Sequence, residues 1–239
     1  MNNPFSTSTI RLLQALTFLV ALPVASLAGA LDLDDRTLRY SVTYTSQDAG
    51  ELEVLITREG DEVRTTAISH LSNLARMFLS GLTAENFFSF QGGSLRLERG
   101  HLLSHDHSEV KTSFRIDRDK GLLIFVPEKD AGKVSPDDEF DSTTFPLVLV
   151  SSDIESIEGR EIREISTKRV STYVYKAPVQ EKLEMGGTTY ETWKVTRHKV
   201  GDPDRHVTIW LDRNDQQVPL RIVSVKNRKA TEFILLSRS

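Results

Sequence analysis

The chain has 239 residues, a formal net charge of −4 at pH 7 and no cysteine. A chain without cysteine has no disulfide, thiol nucleophile or thiolate metal site, so its core alone must hold the fold. Lysine and arginine are interleaved with aspartate and glutamate along the sequence, and this even mixture argues against nucleic acid or anionic lipid as partners drawn by long-range charge.

Residues 1–30 have the composition of a secretory signal peptide. Arg11 is their only charged side chain, an apolar stretch follows it, and Ala28-Gly29-Ala30 fits the A-x-A pattern of a cleavage site. Polar residues and a proline interrupt the apolar stretch, which favours cleavage over the alternative of a membrane anchor. We therefore predict export to the periplasm, no stable membrane span after cleavage, and one β-rich domain over residues 31–239.

Beyond the signal, apolar residues recur at every second position, the spacing of a strand with one face in a core. The first such segment places Leu38, Tyr40 and Val42 on one face. The connections are brief and rich in Gly, Asp or Asn, which favours antiparallel neighbours, because parallel pairing needs a crossover of about a dozen residues. The further strand segments are ELEVLIT, VRTTAIS, EVKTSFRID, LLIFV, VSTYVY, TTYETWKVTRH, HVTIWLD, VPLRIVSV and ATEFILL.

Two segments depart from the strand spacing. Residues 70–82 carry apolar side chains at helical spacing and end near a glycine, which predicts a short helix or helical turn. Residues 141–156 begin with a candidate N-cap and an early proline, so a helix is favoured there over the alternative of an extended buried run. The predicted fold is mainly β, an antiparallel rolled sheet or open half-barrel with one or two short helices.

The stretch IWLDRNDQQVPLRI predicts a hairpin with large apolar side chains on both faces. Val207 and Leu211 share the core-like face, so alternation places Trp210 on the opposite one. Pro219 has no backbone N–H, so its strand should lie at an edge or be bulged, which favours an open sheet. Two interpretations of Trp210 remain: core packing, which is favoured, or the lining of an apolar ligand cleft. The candidate ligand-binding residues for such a cleft are Trp210, Trp193, Arg221 and Phe145.

The sharpest polar cluster is HLLSHDHSE, in which His101, His105 and His107 would share one face if the segment were one continuous strand. Histidines two residues apart on a strand can bind one metal ion together with a nearby carboxylate. A solvated polar turn is the favoured interpretation, and a metal-dependent hydrolase using these three histidines is the alternative. The sequence has no G-x-S-x-G, H-E-x-x-H, Walker or dinucleotide motif, so we predict no catalytic residue and no cofactor.

The order of segments from about Phe140 onward is characteristic. FDSTTFPLVLVSSDI is followed by the strand STYVY, a hairpin with a Trp-Leu-Asp strand, VPLRI, and a last strand that ends in LL. This order resembles an uncharacterised family of exported bacterial proteins, known only as a domain of unknown function, whose members close on a W-L-x-x-D…P-V-R-I hairpin. EKLEMGG lacks the Thr-Pro turn of that family and RLERGHL lacks a proline, which marks a divergent member.

This resemblance implies an exported β-rich domain and, by analogy with periplasmic lipoprotein carriers, a curved antiparallel sheet with helices against its concave side. We expect a non-enzymatic periplasmic domain that binds an apolar or lipid-like small molecule or a cell-envelope protein. The alternatives are the metal-dependent hydrolase and a structural interaction module that pairs with another protein along an exposed edge near Pro219 or at the first strand.

Overall fold

The computed structural model describes residues 35–73, 82–91, 94–104, 109–127, 132–166 and 169–239. The signal segment, residues 74–81 of the first predicted helix, and His105 with His107 lie outside the described residues. Within the described residues the protein is mainly β, as predicted, with sixteen strands and two short helical segments. No helix in these ranges has the length and apolarity that crossing a bilayer requires.

Ten of the sixteen strands coincide with the period-two segments of the sequence, and the other six were not predicted. The strands of the N-terminal half are β1 (Arg36–Tyr44), β2 (Gln47–Glu59), β3 (Glu62–Leu71), β4 (Leu82–Gln91), β5 (Ser94–Ser104), β6 (Val110–Asp117), β7 (Leu122–Val126) and β8 (Gly132–Lys133). The C-terminal half contains β9 (Phe140–Ser142), α1 (Leu147–Val150), a 3-10 turn (Ile154–Ser156), β10 (Glu161–Ser166), β11 (Arg169–Tyr175), β12 (Val179–Met185), β13 (Thr188–Lys199), β14 (Asp202–Asp212), β15 (Pro219–Lys226) and β16 (Lys229–Arg238).

All sixteen strands form one sheet built from two meanders. The strands β1 to β8 lie side by side in chain order, and so do β13 to β16, with β11, β10 and β9 beyond β13 and β12 attached to β13. β1 pairs with β2 on one side and with β16 on the other, so the first and last strands join the two meanders. Every pairing is antiparallel except that of β9 with β10, as the short connections of the sequence predict.

The sheet is open. In the part of the chain that the structure describes, β8 and β9 end the strand order and do not pair with each other. β1 and β15 both lie inside the sheet, so the predicted exposed edge near Pro219 or at the first strand is wrong. The prediction of a bulge at Pro219 is confirmed: the register between β14 and β15 shifts between Trp210 and Leu211, where Pro219 stands opposite Leu211.

The sheet rolls around one apolar core. Leu38 and Val54 of the N-terminal half pack in the same cluster as Ile209 and Leu211 of the C-terminal half. The Tyr40 hydroxyl donates a hydrogen bond of 3.0 Å to the backbone carbonyl of Pro219 and so ties the two meanders together. Residues 140–150, here called the inner segment, run through the interior, where β9 and α1 contact β5.

A helix was predicted over residues 141–156, but only two single helical turns form there, α1 and the 3-10 turn. The inner segment starts as the short strand β9, and all four residues of α1 are buried. An apolar run that is buried on every side has no solvent face along which a longer amphipathic helix would form. The Leu149 N–H donates to the Asp141 carboxylate at 3.3 Å, so a side chain of β9 satisfies a first-turn N–H that has no acceptor within the helix.

Candidate functional site

A cavity of about 210 Å³ opens inside the rolled sheet near the junction of the two meanders, between the strands and the inner segment. Its apolar wall includes three side chains, Leu52, Ile222 and Phe233, that face the interior and yet are only partly buried. Side chains of a closed core are normally packed to high density. The exposed parts of these three side chains instead face the open space of the cavity. The other apolar and aromatic side chains around the cavity are Tyr40, Phe145, Pro146, Tyr173, Val207 and Ile209.

The strand register orders the cavity wall along its length. β14, β15 and β16 are neighbours, and each contributes one inward side chain at each level of the sheet, because inward positions recur every second residue. The character of the levels changes from apolar, beside fully buried Leu211, to basic, at the exposed end of the β15–β16 hairpin. Two levels are Ile209, Ile222 and Phe233, then Val207, Ser224 and Thr231, and beyond them Arg205, Lys226 and Lys229 line an adjoining recess.

A buried ion pair forms the side wall. Arg197 of β13 contacts the carboxylate of Glu164 of β10 through Nη2, and its Nη1 donates to the Tyr175 hydroxyl at 2.9 Å. Burial raises the pKa of the Glu164 carboxyl, and the nearby Arg197 guanidinium opposes this rise. Burial also works against the charge of Arg197, but Glu164 and Tyr175 outweigh it and raise the pKa of the guanidinium. Among the described residues, Arg197 Nε has no hydrogen-bond partner.

A second buried carboxylate, Asp141, lies at the start of the inner segment beside Glu164 in the parallel pair of β9 and β10. Its two oxygens accept from the backbone N–H groups of Ser142 at 2.8 Å and Leu149 at 3.3 Å. Burial raises the pKa of Asp141 to about 7, although the hydrogen bond from Ser142 lowers it, and the charge of Glu164 adds to the rise. Because its two hydrogen bonds reach Ser142 and Leu149, Asp141 fixes the inner segment against the cavity wall.

The structure separates the four predicted ligand-binding residues. Phe145 lines the cavity, and Trp193 packs at the edge of the main core with Arg213 5.0 Å from its ring centroid. Trp210 lies on the convex face, where it packs with Leu183 and Leu220 in a small separate cluster.

The surroundings of Trp210 are polar as well as apolar. Its indole N–H donates to the Glu181 carboxylate of β12, and the guanidinium of Arg221 lies 4.9 Å from its ring centroid while it pairs with Glu232 at 2.6 Å. β12 thus covers the tryptophan. That Trp193, Trp210 and Arg221 bind a ligand stays a prediction, and these three lie outside the cavity wall described above.

His101 lies on β5 with its ring centroid 5.7 Å from that of Phe87. Within the described ranges, no three His, Cys, Asp or Glu side chains come together in a way that could hold a metal ion. His105 and His107, the other members of the predicted cluster, fall outside those ranges.

Sequence reasoning missed most of the cavity wall. Glu164, Arg197 and Arg205 belong to three different strands, and no motif links them. One signal was available: Arg197 and Arg205 occupy apolar-face positions of their strands, two residues from Val195 and Val207. A charged residue at a core position of a strand indicates either a buried ion pair or a cavity.

Comparison with solved structures places the fold. A crystal structure described as the beta-barrel-like protein of domain of unknown function DUF1849 from Brucella abortus aligns with 87% of this chain and 98% of its own, with a TM-score of 0.54 and 12% identity. A putative outer membrane lipoprotein-sorting protein domain from Vibrio parahaemolyticus aligns with 89% of this chain and 88% of its own, with a TM-score of 0.34 and 12% identity. At this identity the first likeness shows the fold alone.

Comparison with curated proteins gives no match. The family model described as "Protein of unknown function (DUF3108)" matches residues 39–227, which is most of the chain. The chain therefore belongs to this family, as the resemblance of its C-terminal motifs predicted.

Proposed function

We propose that the protein binds an apolar or lipid-like molecule inside the rolled sheet, acts in the periplasm, and catalyses no reaction. The observation that carries this proposal is the set of partly exposed apolar side chains, Leu52, Ile222 and Phe233, on the inner wall of the cavity. Export rests on the signal-like composition of residues 1–30. A concave, mainly apolar cavity with a few polar groups is the usual form of a small-molecule site.

The size of the cavity limits the ligand. A water molecule occupies about 30 Å³ in the liquid, and a methylene group is of similar size, so a cavity of about 210 Å³ holds on the order of seven methylene groups. Each buried methylene contributes about 0.8 kcal/mol, which amounts to roughly 5 to 6 kcal/mol for such a chain. The loss of translational and rotational freedom on association offsets about 4 kcal/mol or more of this gain. A hydrocarbon chain alone is therefore a weak ligand.

The proposal is tested with 1-aminoanthracene, a small apolar fluorescent probe, and two phenylalanine variants. Ser224→Phe places a ring in the middle level of the cavity. Thr43→Phe places one at a position that is also half-buried, on the face of β1 that points away from the cavity. We expect the wild type and Thr43→Phe to bind the probe alike and Ser224→Phe to bind at least tenfold more weakly. A wild-type protein that leaves the probe fluorescence unchanged, or equal binding by both variants, would contradict the proposal.

A further inference from the structure

The basic side chains at the exposed end of the cavity form a group that no single stretch of sequence contains. Arg205 lies at this end of β14, and Lys226 and Lys229 flank the turn of the β15–β16 hairpin. Asn227 and Arg228 in that turn both have positive φ, which is the geometry of a two-residue hairpin loop and places the two lysines side by side. Arg205, Ser224 and Thr231 border both the cavity and the recess that holds the lysines, so the two spaces adjoin.

The fold engages these cations only in part: the Arg205 side chain donates a hydrogen bond to the Tyr173 hydroxyl and interacts with the charge of Glu164, while Lys226 and Lys229 are exposed. No carboxylate oxygen of the described residues lies within 4.0 Å of a side-chain nitrogen of Arg205, Lys226 or Lys229. The guanidinium carbon of Arg205 lies 5.8 Å from the ring centroid of Tyr173, and Arg197 lies 4.9 Å from the same centroid. The two terminal nitrogens of Arg197 contact Glu164 and Tyr175. Its Nε has no hydrogen-bond partner among the described residues.

The local charge differs from that of the whole molecule. The chain carries a net charge of −4, and yet the side chains that border the cavity and its adjoining recess include four cations, Arg197, Arg205, Lys226 and Lys229, and one anion, Glu164. A group of surface lysines alone is usually a solvated face. Arg205 differs from such a group because it is half-buried and lies at the end of an apolar wall.

We propose that the ligand is an amphiphile with an anionic head, a carboxylate or a phosphate ester, and a chain of about seven to nine carbons, the length that a cavity of this volume accepts. The chain lies against Ile209, Ile222 and Phe233, and the head is bound by Arg205, with Lys226 and Lys229 attracting it at the rim. This inference rests on the proposed function, because it assigns the head group of the molecule whose chain fills the cavity. A charge-assisted hydrogen bond supplies the affinity that a short hydrocarbon chain lacks.

The test is calorimetric titration of the full-length protein with octanoate, octanol, octyl phosphate and inorganic phosphate. We expect octanoate and octyl phosphate to bind at least about tenfold more tightly than octanol, because a hydrogen bond to a charged group is worth a factor of this order or more. Inorganic phosphate, which has the charge without the chain, should bind far more weakly than octyl phosphate. These comparisons use the wild type and do not depend on how any variant folds.

Three variants locate the head group. Arg205→Gln should weaken octanoate binding about tenfold and leave octanol binding unchanged, whereas Arg205→Lys should keep most of the preference for the anion. Arg39→Gln is the matched control, since Arg39 is an exposed arginine of β1 that pairs with Glu51 at 2.6 Å away from the cavity. It should leave both affinities unchanged.

The outcomes separate the two proposals. If octanol and octanoate bind equally well, or if Arg205→Gln folds and keeps full preference for octanoate, the anionic head is refuted and the apolar cavity stands. If none of octanoate, octanol and octyl phosphate binds, the proposed function fails together with the inference. If inorganic phosphate binds as tightly as octyl phosphate, the site accepts a free anion and the amphiphile is refuted.

Discussion

Asp141 shows how a single polar residue can position the wall of an apolar site. Its carboxylate is fully buried and binds backbone N–H groups at both ends of the inner segment, so Phe145 between them is held against the cavity. Burial raises the pKa of this carboxyl to about 7. An aspartate in the unfolded chain ionises near pH 4, so the folded state holds the proton over a pH range in which the unfolded state has lost it.

This difference predicts a pH-dependent stability that disappears in Asp141→Asn. A raised carboxyl pKa stabilises the fold fully below about pH 4, and the contribution is lost as the pH rises towards 7, by up to about 1.4 kcal/mol per pH unit. The free energy of unfolding of the wild type, measured with urea, should therefore fall relative to that of Asp141→Asn between pH 4 and 7 and run parallel to it above about pH 8. Asp137→Asn, at an exposed position in the preceding loop, is the control. Parallel wild-type and Asp141→Asn curves from pH 4 to 7 would contradict a raised pKa of the Asp141 carboxyl in the folded state.

At the scale of elements, the hairpin of β14 and β15 separates packing from binding. Its inner face contributes Ile209 and Ile222 to the cavity, whereas its outer face carries Trp210 under β12. Removing a large buried aromatic side chain costs about 3 kcal/mol or more. We therefore expect Trp210→Ala to lower the free energy of unfolding by this amount while the folded fraction still binds 1-aminoanthracene.

Phe145→Ala gives the matched comparison, because Phe145 is a large buried aromatic side chain that does line the cavity. It should lower both stability and probe affinity. Should Trp210→Ala abolish probe binding while circular dichroism shows an intact sheet, the tryptophan would itself belong to the ligand site.

Most elements were predictable from the sequence because period-two alternation is a local property. The hairpin of β6 and β7, the bulge at Pro219 and the outward position of Trp210 all follow from spacing and backbone chemistry within a few residues. The inner segment was predicted less well, since its helix was expected over residues 141–156. Its shape depends on strands that surround it from elsewhere in the chain, and local spacing carries no information about them.

At the scale of the whole molecule, the cavity depends on pairings between distant parts of the chain. β1 joins β16 with Leu38 opposite Arg238, almost the full length of the described chain apart. This pairing brings Tyr40 and Leu52 across from Ile222 and Phe233. No local pattern predicts which strands of two meanders meet, so the cavity could not be located from the sequence.

The same pairings bring together charges that are mixed along the sequence. Arg205 is distant in the chain from Lys226 and Lys229, which flank one turn, but β14, β15 and β16 place all three at one end of the sheet. The expectation that no anionic lipid would be attracted rested on the linear order of charges. The folded order places four cations and one anion beside the apolar wall, and the proposed anionic head group rests on this local arrangement.

A ligand on the concave side of the rolled sheet must perturb the side chains there and spare those on the convex face, which methyl NMR during titration with octanoate can observe. Ile209, Ile222 and Leu52 supply methyl groups on the cavity wall, while Leu183 and Leu220 supply them in the convex cluster around Trp210. Octanoate should shift the first group of methyl resonances in a saturable manner and leave the second group unmoved. Shifts confined to Leu183 and Leu220, or no saturable shift in either group, would contradict a binding site inside the sheet.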